Sequence, residues 1–236
     1  MSALWQIVLI TWSAGVTAFI GAQLARYEGS AESTAKRELI HALVAFGGGA
    51  LLAAVAFALA PHAMDELSPW RLALSFCMGG VLFCVLDAWL ARRGGGFAQF
   101  LAMLMDYVPE AISLGAIFSQ DRKMGMVLAA FIGLQNFPEG FNAYREMRTG
   151  GLRPRRILTV IFVASLLGPL AAVIGYTLLQ EREALTAVIM SFASGGILYL
   201  IFQDIAPQAV MRRHWTPPLG AVLGFMLGML GTVMMQ

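Results

Sequence analysis

Eight apolar stretches of about 20 residues each, separated by short polar connections, take up almost the whole of this 236-residue chain. A helix needs roughly 20 mostly apolar residues to cross the hydrocarbon core of a bilayer, and inside that core it must pair its own backbone polar groups. The stretches run at about 3–25, 39–61, 70–91, 98–119, 124–144, 157–179, 184–206 and 216–235. The expected fold is an all-α membrane protein of eight transmembrane helices, forming one domain over residues 1–236. Charged residues make up 13% of the chain, about half the share usual in a water-soluble domain. Lipid, not water, must therefore cover much of its surface. A net charge of +2 gives no basis for binding nucleic acid. Cys77 and Cys84 fall in one apolar stretch and read as buried small hydrophobes, not as a disulfide. The first stretch lacks a basic flank and a small-residue cleavage site, so it reads as a retained helix and not a signal peptide.

The basic residues orient these helices. Twelve of the 16 Lys and Arg fall in the odd-numbered connections: Arg26, Lys36 and Arg37; Arg92 and Arg93; Arg145, Arg148, Arg153, Arg155 and Arg156; Arg212 and Arg213. Arg71, Arg122, Lys123 and Arg182 occupy the even-numbered ones. Loops on the cytoplasmic side are enriched in Lys and Arg. The expected arrangement is thus a multi-pass protein of the cell membrane, with both termini outside and the loop Arg145–Arg156 inside.

Three acidic residues do not sit at loops or helix ends: Asp106 and Glu110 in the fourth stretch, and Glu139 in the fifth. An ionised side chain deep in a bilayer costs several kcal/mol unless it is compensated, and such residues are as a rule functional. With every Lys and Arg assigned to a connection or a helix end, no cationic side chain is left to pair with them. A mobile cation, a proton or a metal ion, is the remaining compensation. The two stretches also resemble each other: Asp106-Tyr-Val-Pro109-Glu110 and Gln135-Asn136-Phe-Pro138-Glu139. Asp106 and Glu110 share a helix face, as do Gln135 and Glu139. Each proline removes a backbone hydrogen bond one turn back, freeing the carbonyls of Met105 and Leu134. Two proline-kinked helices would gather oxygen ligands near the midplane, where many secondary transporters hold substrate.

Gln135-Asn136-Phe-Pro138-Glu139-Gly140 is similar to a motif of the ZIP (Zrt/Irt-like) family of metal transporters. Phe46-Gly-Gly-Gly-Ala-Leu-Leu-Ala-Ala in the second stretch and Ser191-Phe-Ala-Ser-Gly-Gly-Ile-Leu-Tyr199 in the seventh also resemble that family. The resemblance implies an eight-helix bundle with both ends outside, and transport of divalent metal ions through ligands on the fourth and fifth helices. Carried over residue by residue, it implies metal ligation by Asp106, Glu110, Gln135, Asn136 and Glu139. It also marks departures. Asp106 stands where most members have His, Tyr107 where they have Asn, and Gln135 replaces a common His. Gly168, in Ser165-Leu-Leu-Gly168-Pro169, stands where many have Glu. One metal position keeps its ligands; the second has lost them at Tyr107 and Gly168, so one good site is expected. Its donors are all oxygen, which suits hard divalent ions. Manganese and ferrous iron are then as plausible as zinc.

The expected partners are the bilayer and a divalent metal ion as substrate, with no organic cofactor. Gly220, Gly224 and Gly228 form a small-residue stripe that suits close helix packing, within one chain or in a homodimer. His62 follows Pro61 near Asp65 and Glu66, at a candidate metal entrance, and Asp204 lies at the inner end of the seventh stretch. Asp87 reads as a local partner of Arg92 and Arg93. Phe192-Ala-Ser194-Gly195 faintly resembles a rhomboid protease nucleophile, but no deep His accompanies it, so an enzyme is not expected. The alternative to transport is a ZIP-like membrane protein that binds metal without moving it, as a sensor or a degenerate paralogue.

Overall fold

The computed structural model describes residues 2–27, 33–93, 96–118, 121–179 and 181–235. The elements in chain order are α1 (Ala3–Tyr27), α2 (Thr34–Ala54), a π-helical turn (Val55–Leu59), α3 (Ala60–Glu66), α4 (Pro69–Arg93), α5 (Ala98–Phe118) and α6 (Arg122–Thr149). There follow α7 (Pro154–Ser165), α8 (Leu167–Leu179), α9 (Glu183–Leu200), a second π-helical turn (Ile201–Ile205), α10 (Ala206–Ala209) and α11 (Leu219–Met235). Among the described residues, six helical segments are long and apolar enough to cross a membrane: Ala3–Tyr27, Thr34–Glu66, Pro69–Trp89, Gln99–Phe118, Pro154–Leu179 and Glu183–Ala209. They coincide with six of the eight apolar stretches. The other two stretches are helical as well. However, α6 carries Gln135, Asn136, Glu139 and Asn142, which lower its hydropathy, and α11 is only 17 residues long. Pro109 and Pro138 both lie inside uninterrupted α-helix.

The two π-helical turns have a common cause that the sequence reading did not find. Each precedes an Ala-Pro pair, Ala60-Pro61 in one case and Ala206-Pro207 in the other. Proline has no N–H and its ring clashes with the carbonyl one turn back, so a widened turn relieves both problems. The Ala60 N–H then reaches back to the Val55 carbonyl, and the Ala206 N–H to the Ile201 carbonyl, five residues in each case.

The helices fall into two groups. In one, α1 packs along α6, and α5 lies against both α6 and α8; in the other, α2 pairs with α11 and α4 with α9. The groups meet chiefly where α2 crosses α6. Backbones approach closely at these seams. A Cβ on Gly140 would stand 2.0 Å from the Ala18 carbonyl oxygen, and one on Gly21 would stand 1.9 Å from that of Phe137. These contacts clamp α1 onto the part of α6 that carries Asn136 and Glu139. The glycine stripe on α11 is used in the same way within the chain. Gly220 and Gly224 face the Ala42 and Phe46 carbonyls of α2, each with room for no Cβ, the clash distance being 2.1 Å in both cases. That surface is covered by α2 within the chain.

Two further expectations are corrected. Cys77 and Cys84 are free and exposed on α4, not buried. α4 is the least buried of the six apolar helices. Lipid and protein interior are equally apolar, so apolar surroundings in sequence do not say which side chains face inward. Asp87 accepts a hydrogen bond from the Tyr199 hydroxyl on α9 at 3.0 Å, so a neighbouring helix supplies a partner that the sequence reading missed, and the Arg93 side chain lies outside the described residues.

Candidate metal site

The pair α5 and α6 brings Asp106, Glu110, Gln135 and Glu139 together, while the amide of Asn136 turns to α1. Asp106, Glu110, Gln135 and Asn136 are all buried, with Glu110 and Gln135 fully so. Glu139 is half-buried, but both of its carboxylate oxygens are shielded from solvent. The helical spacing explains the convergence. Asp106 and Glu110 lie one turn apart on α5, Gln135 and Glu139 one turn apart on α6, and the two faces oppose each other.

The hydrogen bonds show how the site is held. The Gln135 side-chain amide donates to Glu110 Oε2, which ties α6 to α5 across the site. The Asn136 amide donates to the Ala14 carbonyl of α1 at 3.3 Å. The Tyr107 backbone N–H donates to Asp106 Oδ1 at 2.8 Å. Asp106 and Glu139 lie within hydrogen-bonding reach of each other, although each carboxylate offers only acceptors.

What remains unsatisfied is more informative. Glu110 Oε1, Gln135 Oε1, Asn136 Oδ1 and both oxygens of Glu139 are buried with no hydrogen-bond partner. A buried polar group left unpaired costs roughly 1–3 kcal/mol, and more when it is charged. All five of these atoms are acceptors, so they call for a hydrogen-bond donor or a cation. Among the described residues, no three His, Cys, Asp or Glu side chains stand close enough to ligate one ion by themselves.

A small cavity of about 30 Å³ opens beside Asp106, Pro138 and Glu139. Its far wall comes from α2 at Val44, Gly47 and Gly48, and from the end of the α9 rod at Asp204 and Gln208. Asp204, noted in the sequence as an inner-end acid, thus shares a cavity with two of the expected ligands. Gln99 and Asn142 also line it, and the sequence reading missed both. Asn142 lies three residues after Glu139, so the helical repeat alone could have placed it on the same face. Gly47 lets α2 approach Pro138; a Cβ there would meet the proline ring at 2.7 Å. His62 is not part of this assembly. It lies on α3, about 20 Å along the rod from Gly48.

Residues 91–236, which include α5, α6 and every residue of the site, match the family model described as ZIP zinc transporter. The chain is 25% identical over 131 residues to Zinc transporter ZIPB of Bordetella bronchiseptica, a match over 55% of this chain and 42% of that protein. It is 29% identical over 110 residues to Zinc transporter GufA of Myxococcus xanthus, over 46% of this chain and 43% of that protein. In both cases the match spans less than half the length of the relative. With its family model matched over more than half its length, the chain belongs to the ZIP zinc transporter family.

Proposed function

We propose that this chain carries a divalent metal ion across a cell membrane through a site formed by Asp106, Glu110, Gln135, Asn136 and Glu139. The observation that carries this reading is the group of buried oxygen acceptors on α5 and α6 that have no donor. They adjoin a cavity leading past Asp204. A resident cation side chain would close such a site permanently. Acceptors without a fixed partner suit a cation that comes and goes.

In this reading the whole chain is one transporter domain of eight spans, with α6 and α11 crossing alongside the six more apolar helices. α6 tolerates its polar residues because they face the site and α5 instead of lipid. Pro109 and Pro138 release the Met105 and Leu134 carbonyls near the midplane and bend the two helices around the ion. Both termini face outward and Gly150 faces the cytoplasm, following the distribution of Lys and Arg. Two relatives bear the name zinc transporter, and zinc is accordingly one substrate candidate. The oxygen donors suit manganese and ferrous iron equally.

The test is metal flux into proteoliposomes containing the purified chain, with zinc, manganese and ferrous iron offered separately. Glu110→Ala and Glu139→Ala should each abolish uptake while the protein still inserts. Uptake at the parent rate in Glu139→Ala would refute the site.

A further inference from the structure

Away from the metal site, the structure holds a cavity of another character. Arg37, Ile40, His41 and Arg145 line a space of about 360 Å³ between the start of α2 and the end of α6. Arg37 and His41 lie one helical turn apart on α2 and so share a face. Among the described residues, no carboxylate lines this space. The acids nearest in sequence face other groups. Glu38 is paired with His214, and a Glu146 oxygen accepts the Gln99 N–H at 2.7 Å. Guanidinium groups from two different helices thus border one cavity, and an anion between them would offset their mutual repulsion.

The walls are held in place. The His41 ring donates from Nδ1 to the Gln208 carbonyl on α10, since a carbonyl can only accept. The Arg145 guanidinium lies 6.0 Å from the centre of the Phe141 ring, one turn back on α6, where ring and cation attract. Phe141 and Ile40 are themselves buried, so both arms rise from packed helix and not from a loop.

The depth of the cavity narrows the kind of anion. Arg37 stands just before the apolar stretch of α2, and Arg145 just after that of α6. Both therefore lie where hydrocarbon gives way to headgroups. The proposed orientation assigns this side to the cytoplasm, the leaflet in which anionic lipids face inward. A lipid phosphate reaches this level without leaving the bilayer. The planar guanidinium fork matches phosphate oxygens two at a time.

We propose that Arg37 and Arg145 clamp the phosphate of an anionic phospholipid, whose headgroup occupies this cavity and bridges α2 to α6. The bridge falls on the seam where the two helix groups meet. The inference rests on the membrane-spanning reading of the chain and is independent of the metal ligands.

The experiment uses the purified full-length chain in a neutral detergent. Phosphatidylglycerol, phosphatidylcholine or inorganic phosphate is added separately. Melting temperature is recorded, and retained lipid is counted by native mass spectrometry. Phosphatidylglycerol should raise the melting temperature and stay bound. Phosphatidylcholine carries a phosphate but no net charge, and should do neither at the same concentration. Arg37→Gln and Arg145→Gln should each weaken retention of phosphatidylglycerol about tenfold, as expected for loss of a charged hydrogen-bonding partner. Arg155→Gln removes the same charge from a residue that does not line the cavity, and should leave retention unchanged. Equal weakening in all three variants would reduce the effect to general surface charge and overturn the site. Equal retention of the two lipids by the parent protein would also overturn it, and that comparison needs no variant to fold. A rise in melting temperature with inorganic phosphate that matches phosphatidylglycerol would overturn the lipid as the source of the anion.

Discussion

Replacing Glu139 by Gln should move two stabilities in opposite directions. In the metal-free protein, both Glu139 oxygens are buried and unpaired, with Asp106 close by. The amide removes a buried acid and brings an N–H donor that Asp106 can accept, so the metal-free fold should melt at or above the parent temperature. The bound state should suffer. Two unit charges 4 Å apart interact by about 4 kcal/mol at an effective dielectric constant near 20. If solvent and neighbouring groups cancel half of this, about 2 kcal/mol of binding is lost, or roughly a 30-fold weaker Kd. A ligand at 100 times its Kd stabilises a fold by about 2.7 kcal/mol, and after a 30-fold loss the same concentration gives only about 0.9 kcal/mol. The assay is thermal melting of purified protein in detergent, with and without added zinc or manganese. An unchanged metal-dependent rise in melting temperature for Glu139→Gln would refute the assignment of Glu139 as a ligand.

Other outcomes follow from single contacts. Gln135→Leu removes the donor to Glu110 and leaves that fully buried carboxylate with no partner, so the metal-free protein should lose about 1–3 kcal/mol in chemical denaturation, more if the carboxylate stays charged. Gly140→Val places a Cβ 2.0 Å from the Ala18 carbonyl and should cost at least about 1–3 kcal/mol by forcing α1 from α6, whereas Gly231→Ala, with nothing within 4 Å, should be close to neutral by the same measurement. Cysteine placed at Gly150 should react with an impermeant thiol reagent only after the membrane is opened, once Cys77 and Cys84 are replaced by alanine; labelling in intact cells would reverse the orientation.

The parts of this protein that were legible in its sequence are those where the bilayer leaves one option. A run of 20 apolar residues must be helical to satisfy its own backbone, and so the eight stretches mark eight helical rods. Asp106, Glu110 and Glu139 stood out because no basic residue lay at their depth, and the structure brings them onto facing helices. What the sequence did not reveal depended on contacts between helices. The exposure of Cys77 and Cys84 on α4 could not be read, since lipid and protein interior favour the same residues. Nor could the partner of the α11 glycines, which is set by the Ala42 and Phe46 carbonyls of α2. Asp87 looked like a neighbour of Arg92 along the chain, but its hydrogen bond comes from Tyr199 on α9. Asn142 followed the helical repeat from Glu139 and was overlooked because its motif neighbours carried charge.

The surroundings of the site also differ along the helix axis. Toward the N-terminus of α5 and the C-terminus of α6, the cavity continues past Gln99, Asn142, Asp204 and Gln208, all of which can hold a cation or its water. In the opposite direction the next turns are Leu114 and Ile117 on α5 and Leu128, Phe131 and Ile132 on α6, packed with Leu59 and Met190 and buried from solvent. A hydrated ion moving that way would lose its water and meet few oxygen atoms, the buried Ser113 hydroxyl among them, at a cost of several kcal/mol for each unit of charge. In the proposed reading, an ion in this conformation exchanges by way of that cavity. That side carries Arg145 and Arg148 at the end of α6, and it is the side that the proposed orientation assigns to the cytoplasm. Access from the other side requires the apolar layer to part. The seam between α2 and α6, where the two helix groups meet across Gly47 and Pro138, is where such a movement would act directly on the ligands.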